Sequence, residues 1–285
     1  MKEIKKRKIE ILVLSDIHLG TFGCHAKELL YYLKTVKPKT VILNGDIIDI
    51  WQFSKRYWPK SHMKVVKHLM GWMSKGVKIY YITGNHDEML RKFSGFKMGS
   101  FKIVNKVVLT LNNNKKAWFF HGDVFDITMQ HSKWLAKLGA EGYDMLILIN
   151  RFANFIAEKV FKKGKLSLSK EIKNSVKSAV KFITNFEQTA ANIGISSQYD
   201  YVVCGHIHQP EMRIIKNEEG SILYLNSGDW IENLTALEYN EGEWKIYKYN
   251  DEEMQKIHAT LEVEDELDNS KLFDNMVTEF NLMKS

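Results

Sequence analysis

Five short clusters of Asp, Asn and His carry the chemistry of this sequence. They are Asp16-Ile17-His18, Gly45-Asp46-Ile47-Ile48-Asp49, Gly84-Asn85-His86-Asp87, His121-Gly122-Asp123 and Gly205-His206-Ile207-His208. Carboxylate, imidazole and carboxamide donors, with no thiolate among them, suit divalent cations such as Mn²⁺, Fe or Zn²⁺. In an extended chain residues i and i+2 point to one side. Asp16 with His18, and His206 with His208, are therefore each expected to offer two donors to one cavity. A carboxylate has two oxygens and can bridge two ions, and a pair of ions can activate water and clamp an in-line displacement at phosphorus. Glycines 45, 84, 122 and 205 suit tight turns that aim these groups inward. A lone D-x-H is more often structural than metal-binding; the five clusters in this order are specific.

Each cluster directly follows an apolar run that reads as a buried strand. The expected strands are Ile9–Ser15, Thr40–Asn44, Val77–Thr83, Ile103–Leu111, Ala117–Phe120, Tyr201–Cys204, Met212–Lys216, Ile222–Asn226, Leu234–Tyr239 and Glu243–Tyr249. Several are continuously apolar, as strands covered on both faces are. Lys27–Val36 and Lys60–Ser74 have helical spacing. The first half reads β-α-β-α-β and the second returns mostly to strands, which predicts two packed sheets with helices outside. In open α/β sheets sites assemble at the carboxyl ends of strands, so five clusters at five strand ends point to one shared rim.

The stretch 127–197 breaks this rhythm and reads as a helical insertion or cap between core segments 1–126 and 198–250. Between Lys170 and Ala190, Ile172, Val176, Val180, Ile183 and Phe186 share one helical face, and Lys170, Lys173, Lys177 and Lys181 share another. From Met129 to Tyr199 eleven basic residues outnumber five acidic. The segment 251–285 is an acidic tail with ten acidic residues against three basic, so the rest of the chain is more basic than the overall +7. A basic body suits a nucleotide, a nucleic acid or a phospholipid surface.

Composition excludes other classes. With 285 residues, 45% hydrophobic and 26% charged, 17 Gly and 3 Pro, the chain is neither collagen-like nor Pro-rich and disordered. Two cysteines, Cys24 and Cys204, build no disulfide framework or thiolate cluster, which points to a reducing compartment. The basic start followed by a short apolar run mimics a secretory leader, but it ends in Ser15-Asp16 and is read as a retained first strand. The longest strongly apolar run, Met145–Ile149, is far short of a bilayer span.

Taken together, D-I-H, G-D-I-I-D, G-N-H-D, H-G-D and G-H-I-H resemble the calcineurin-like metallophosphoesterase superfamily. The likeness covers roughly residues 9 to 240 apart from the insertion. Within it, the opening L-S-D-I-H-L-G, the place of the insertion and the length are similar to the UDP-2,3-diacylglucosamine pyrophosphohydrolases of lipid A synthesis. The resemblance implies an α/β fold (α+β by some schemes), a four-layer α/β/β/α sandwich whose insertion caps the acyl chains. It implies two cations, Mn²⁺ foremost. Asp16, His18, Asp46 and His208 would hold the first, and Asp46, Asn85, His121 and His206 the second, with Asp46 bridging. The substrate implied is a nucleotide-linked glycolipid, split into UMP and the acylated sugar 1-phosphate. The place implied is the cytoplasm, with peripheral contact at the inner face of the membrane through the basic insertion. That branch reads G-N-R-D where this chain has His86, which is the general superfamily pattern.

Further roles attach to single residues. His86 is the candidate to protonate the leaving oxygen, beside Asp46 as the other catalytic group. Asn85, His86, Arg91 and His206 are candidates to touch substrate, Arg91 by paired hydrogen bonds to phosphate. Asp49 and Asp123 are expected to orient metal-binding histidines or to cap turns. Trp51, Trp58 and Trp230 lie near the clusters and could stack on a base, line an acyl groove or fill the core. His25, His62, His68, His131 and His258 fit no ligand pattern and read as structural. A broader phosphodiesterase acting on cyclic nucleotides or nucleic acid is the alternative enzyme. A scaffold that lost catalysis is the non-enzymatic alternative, and the complete ligand set argues against it.

Overall fold

The computed structural model describes residues 6–51, 58–125 and 170–250, and of 170–179 the backbone alone. In chain order the elements are β1 (Arg7–Leu14), α1 (Ala26–Thr35), β2 (Val36–Asn44), α2 (Lys60–Ser74) and β3 (Lys78–Ile82). A 3₁₀ turn, Glu88–Phe93, leads to β4 (Lys97–Met98), β5 (Phe101–Val104), β6 (Lys106–Thr110) and β7 (Lys116–Phe120). After α3 (Lys170–Ser196) come β8 (Tyr201–Cys204), β9 (Glu211–Asn217), β10 (Gly220–Asn226), β11 (Thr235–Asn240) and β12 (Glu243–Lys248).

Two sheets form. One has seven strands in the order β12-β11-β1-β2-β3-β5-β4, and the other five in the order β6-β7-β8-β10-β9. β1, β2 and β3 run parallel, as do β7, β8 and β10. The side-chain period of two explains the layers. On β2, Val41 and Leu43 pack toward α1 and α2, while Ile42 faces the other sheet. On β8, Tyr201 and Val203 face inward, while Val202 and Cys204 pack toward α3. The central strands of both sheets are thus covered on both faces, which is why they read as nearly unbroken apolar runs. The order is α/β/β/α, as expected from the sequence.

Three differences from the sequence reading have local causes. The stretch 103–111 is not one strand: β5 ends at Val104 in the first sheet and β6 begins at Lys106 in the second. The corner is Asn105, whose Oδ1 accepts a hydrogen bond from Thr83 Oγ1. β2 starts at Val36 rather than Thr40, because β1 pairs with it from Arg7 onward. On α3, Val180 is 57% exposed, whereas Phe186, Ala190, Ala191 and Ile195 are buried against the second sheet. The end of α3 is therefore one of the four layers. The rest of the expected insertion, 127–169, and the tail, 251–285, lie outside the described residues. No helix among the described residues is long and apolar enough to cross a membrane.

Candidate metal centre

The five clusters leave the ends of β1, β2, β3, β7 and β8 and meet on one rim. Backbone bonds zip the first two together: Asp16 N donates to Gly45 O (3.1 Å), His18 N to Asp46 O (2.9 Å) and Leu19 N to Ile47 O (2.9 Å). Ile50 N then donates to His86 O (3.1 Å), and Gly205 N to His121 O (3.0 Å). Asp16, His18, Asp46, His206 and His208 all lie in the left-handed region, with φ between 51° and 69°. Each such residue costs about 1–2 kcal/mol, and such strain gathers where function requires it. This corrects the expected geometry of D-x-H and H-x-H. The paired donors converge because both residues of each pair turn left-handed beyond the strand, not because an extended strand alternates its faces. Two glycines leave room for them. A Cβ on Gly205 would sit 2.5 Å from Asp16 Oδ2, and one on Gly84 would collide with Asp46.

Asp16 and Asp46 are built alike. Asp16 Oδ2 accepts the His206 backbone N–H (3.1 Å), and its Oδ1 lies 3.2 Å from His208 Nε2. Asp46 Oδ1 accepts the His86 backbone N–H (2.8 Å), and its Oδ2 lies 3.2 Å from His121 Nε2 and 4.0 Å from His18 Nε2. Asn85 Oδ1 is 3.3 Å from His121 Nε2. His121 Nδ1–H donates to Asn44 O (2.9 Å), which turns Nε2 toward the carboxylate. Among the described residues three groups bring donor atoms within 4.8 Å of one another: Asp16–His18–His208, His18–Asp46–His86 and Asp46–His121–His206. Asp46 and His18 each belong to two of them. Oxygen and imidazole donors crowded this closely fit divalent cations of the Mn²⁺, Fe or Zn²⁺ type.

Electrostatics agree with the crowding. Burial opposes the charge on Asp46, yet His121, His18 and His86 hold its carboxyl far below the ordinary range. Asp16 is also lowered, by His208 against the cost of burial. Burial works against charge on His208, but Asp16 outweighs it and raises the imidazole to about 9. His121 is raised well above its ordinary value by Asp46, again against burial. Without cations, protons hold these carboxylates and imidazoles together; a cation must displace them.

The other expected site residues fall around this centre. Asp49 is fully buried; its Oδ2 accepts His86 Nδ1–H (2.9 Å) and lies 3.5 Å from His18 Nδ1. Burial opposes protonation of His86, but the Asp49 bond raises its pKa. Asp123, expected to orient a histidine, has its carboxylate taken by Arg91, though its charge still acts on His121. Arg91 also donates to Gly84 O (3.3 Å), so it is tied to the rim rather than loose on the surface. Trp51 is 69% exposed beside the site, with its Nε1–H on Asn85 O (3.2 Å). Trp230 is buried, and Trp58 packs on the helix-side core. Phe186 of α3 supports the floor, its ring centroid 6.2 Å from that of His206. His25 stands 3.6 Å from Glu28, and burial lowers His68 to about 4. His131 and His258 lie outside the described residues.

Several supporting groups are not evident from the sequence reading. Asp87 is fully buried and accepts Gly84 N–H (2.6 Å), Ile47 N–H (3.0 Å) and Tyr81 O–H (2.6 Å), which locks two of the site's loops to each other. His62 Nδ1 accepts Gly20 N–H (2.9 Å) just beyond His18. The loop after β10 reaches the site from outside: Trp230 N donates to Asp16 O (3.1 Å), and Asn233 Nδ2 donates to His208 O (2.8 Å). Gly228-Asp229 follows a strand as Gly45-Asp46, Gly122-Asp123 and Gly205-His206 do, a fourth Gly-Asp or Gly-His step, and that was the available signal.

Comparison with known proteins agrees. The Calcineurin-like phosphoesterase family is matched over residues 9–210. A UDP-2,3-diacylglucosamine hydrolase of Blochmanniella pennsylvanica (strain BPEN) is 23% identical over 246 residues, spanning 82% of this chain and 93% of that one. Proteins with the same name from Aliivibrio fischeri (strain MJ11) and Blochmanniella floridana are 22% and 24% identical. These alignments span 84% and 82% of this chain, and 98% and 94% of theirs. The chain belongs to the calcineurin-like phosphoesterase family and is a metal-dependent phosphoesterase.

Proposed function

We propose that the chain hydrolyses UDP-2,3-diacylglucosamine to UMP and 2,3-diacylglucosamine 1-phosphate at a two-cation centre. The observation that carries the two-cation reading is a chain of three donor groups: His18 joins Asp16–His18–His208 to His18–Asp46–His86, and Asp46 joins that group to Asp46–His121–His206. In this reading Asp16, His18, Asp46 and His208 hold one cation, and Asp46, Asn85, His121 and His206 the other, with Mn²⁺ the cation in use. When bound, such a pair polarises the phosphoryl group and supplies a water poised for in-line displacement.

The chain's own residues do the rest. His86, whose protonated form the Asp49 bond favours, delivers a proton from Nε2 to the departing oxygen. Asn85 and His206 face the phosphoryl oxygens. Arg91, fixed by Asp123 and Gly84 O, turns its remaining N–H groups to a phosphate. The names of the relatives support the lipid substrate, as does the basic segment 127–197, which suits peripheral contact with an anionic membrane face from the cytoplasmic side.

A second reading is a broader phosphodiesterase, favoured by His86 standing where the lipid branch has Arg. Hydrolysis of the lipid diphosphosugar, cyclic nucleotides, single-stranded DNA and simple monoesters, compared with Mn²⁺ present, separates the two. The lipid reading expects the lipid diphosphosugar to be preferred by kcat/KM over all others. Preference for a cyclic nucleotide or DNA overturns it.

A further inference from the structure

We propose that the loop Ser227–Asn233 is an outer clamp on the Asp16–His18–His208 group, and that Asn233 is a positioning residue setting how tightly that group holds a cation. The side chains of Asp16 and His208 meet at 3.2 Å, yet each residue has a left-handed backbone at φ 51°. Neither conformation is favoured by itself, so something must hold both. One loop does so: Trp230 N–H is bonded to Asp16 O, and the Asn233 amide to His208 O. The two carbonyls belong to the two residues whose side chains face each other.

The loop is rigid enough for this task. The buried Asp229 carboxylate gathers the N–H groups of Ile231 (2.8 Å), Glu232 (2.5 Å) and Asn233 (3.3 Å), and Asn233 Nδ2–H as well (2.5 Å). The same Nδ2 thus links Asp229 to His208 O. Thr235 closes the base, its N–H on Asp229 O (3.0 Å) and its Oγ1–H on Ser227 O (2.8 Å). Ser227 Oγ lies 2.6 Å from Ser15 Oγ, next to Asp16. Gly228, at φ 69°, has Pro210 and Thr235 where a Cβ would go. The Trp230 contact is made by backbone, so Asn233 is the side chain through which the clamp can be tested.

The inference rests on the two-cation reading of the site. The experiment is Mn²⁺ titration of the full-length, metal-stripped chain by calorimetry, with thermal melting of the metal-free form in parallel. The wild type should bind in two steps. Asn233→Ala should weaken one step by about 10- to 100-fold, the usual effect of losing a group that orients a ligand, and leave the other unchanged. Asn233→Gln, which keeps the amide donor, should recover part of the loss. Should the alanine variant fail to fold, Asn233→Ser serves in its place. Two wild-type steps in the variant overturn the clamp. So does equal weakening of both steps with a lowered metal-free melting temperature, which is what a merely structural role produces. A wild-type chain that takes up no Mn²⁺ is a different failure, that of the metal centre itself.

Discussion

Asp46 Oδ2 lies 3.2 Å from His121 Nε2, across the junction between the two sheets. The first residue follows β2 of the seven-stranded sheet and the second follows β7 of the five-stranded one. This contact makes one centre from two half-sites. Asp46→Asn keeps the volume and removes the charge that His121, His18 and His86 share. Cation content, measured by elemental analysis, should fall below two per chain. Hydrolysis of a small chromogenic phosphodiester should fall by more than about 100-fold, beyond the loss expected for merely orienting groups.

His86 has a different expected signature. Its Nδ1–H is held by the Asp49 carboxylate. His86→Gln should reduce kcat by roughly 10²–10⁴-fold, the range for a general acid, while cation content stays at the wild-type level. The loss should be smaller for substrates with good leaving groups, which need no proton. Equal losses across leaving groups would remove the acid role.

Glycine substitutions separate site packing from general tolerance. Gly205→Ala puts a Cβ 2.5 Å from Asp16 Oδ2 and should abolish cation uptake at the Asp16–His18–His208 group. Gly71 lies inside α2, and a Cβ there meets nothing within 4 Å. Gly71→Ala should stabilise the chain by up to about 1 kcal/mol through helix propensity. Denaturant melts of both variants test the contrast.

The pH dependence has a definite sign. His208 is raised to about 9 by Asp16 in the metal-free protein. A raised imidazole stabilises the fold fully below its unfolded value of about 6.5, and that contribution disappears as pH rises through about 9. Metal-free melting temperature should therefore decline over this window, and His208→Gln should flatten the decline. Mn²⁺ affinity should move the other way, rising with pH because the cation displaces the protons. Calorimetry in buffers of different ionisation enthalpy reads those protons directly.

The sandwich was legible because the central strands of both sheets are covered on both faces. Runs such as Thr40–Asn44 and Tyr201–Cys204 carry no polar alternation, and the chemistry stands directly behind them. The corner at Asn105 was not legible, since Ile103–Leu111 stays strand-like on either side of it while the chain changes sheet. The exposure of Val180 was hidden because helical spacing gives a face and not what covers it. At the site, residue types and order identify the donors, but the left-handed turns of Asp16 and His208 are not set by residue type alone, although Asp and His enter that region more readily than most side chains. They come from bonds made by distant loops. For the same reason Asn233 carries no mark in the sequence: its partner, His208 O, is a backbone atom that only the fold brings near.

Anomalous diffraction from Mn²⁺-loaded crystals tests the central claim most directly. The account predicts two peaks, one enclosed by Asp16, His18 and His208 and one by Asn85, His121 and His206, with Asp46 reaching both. A single peak, or peaks away from these residues, would contradict it.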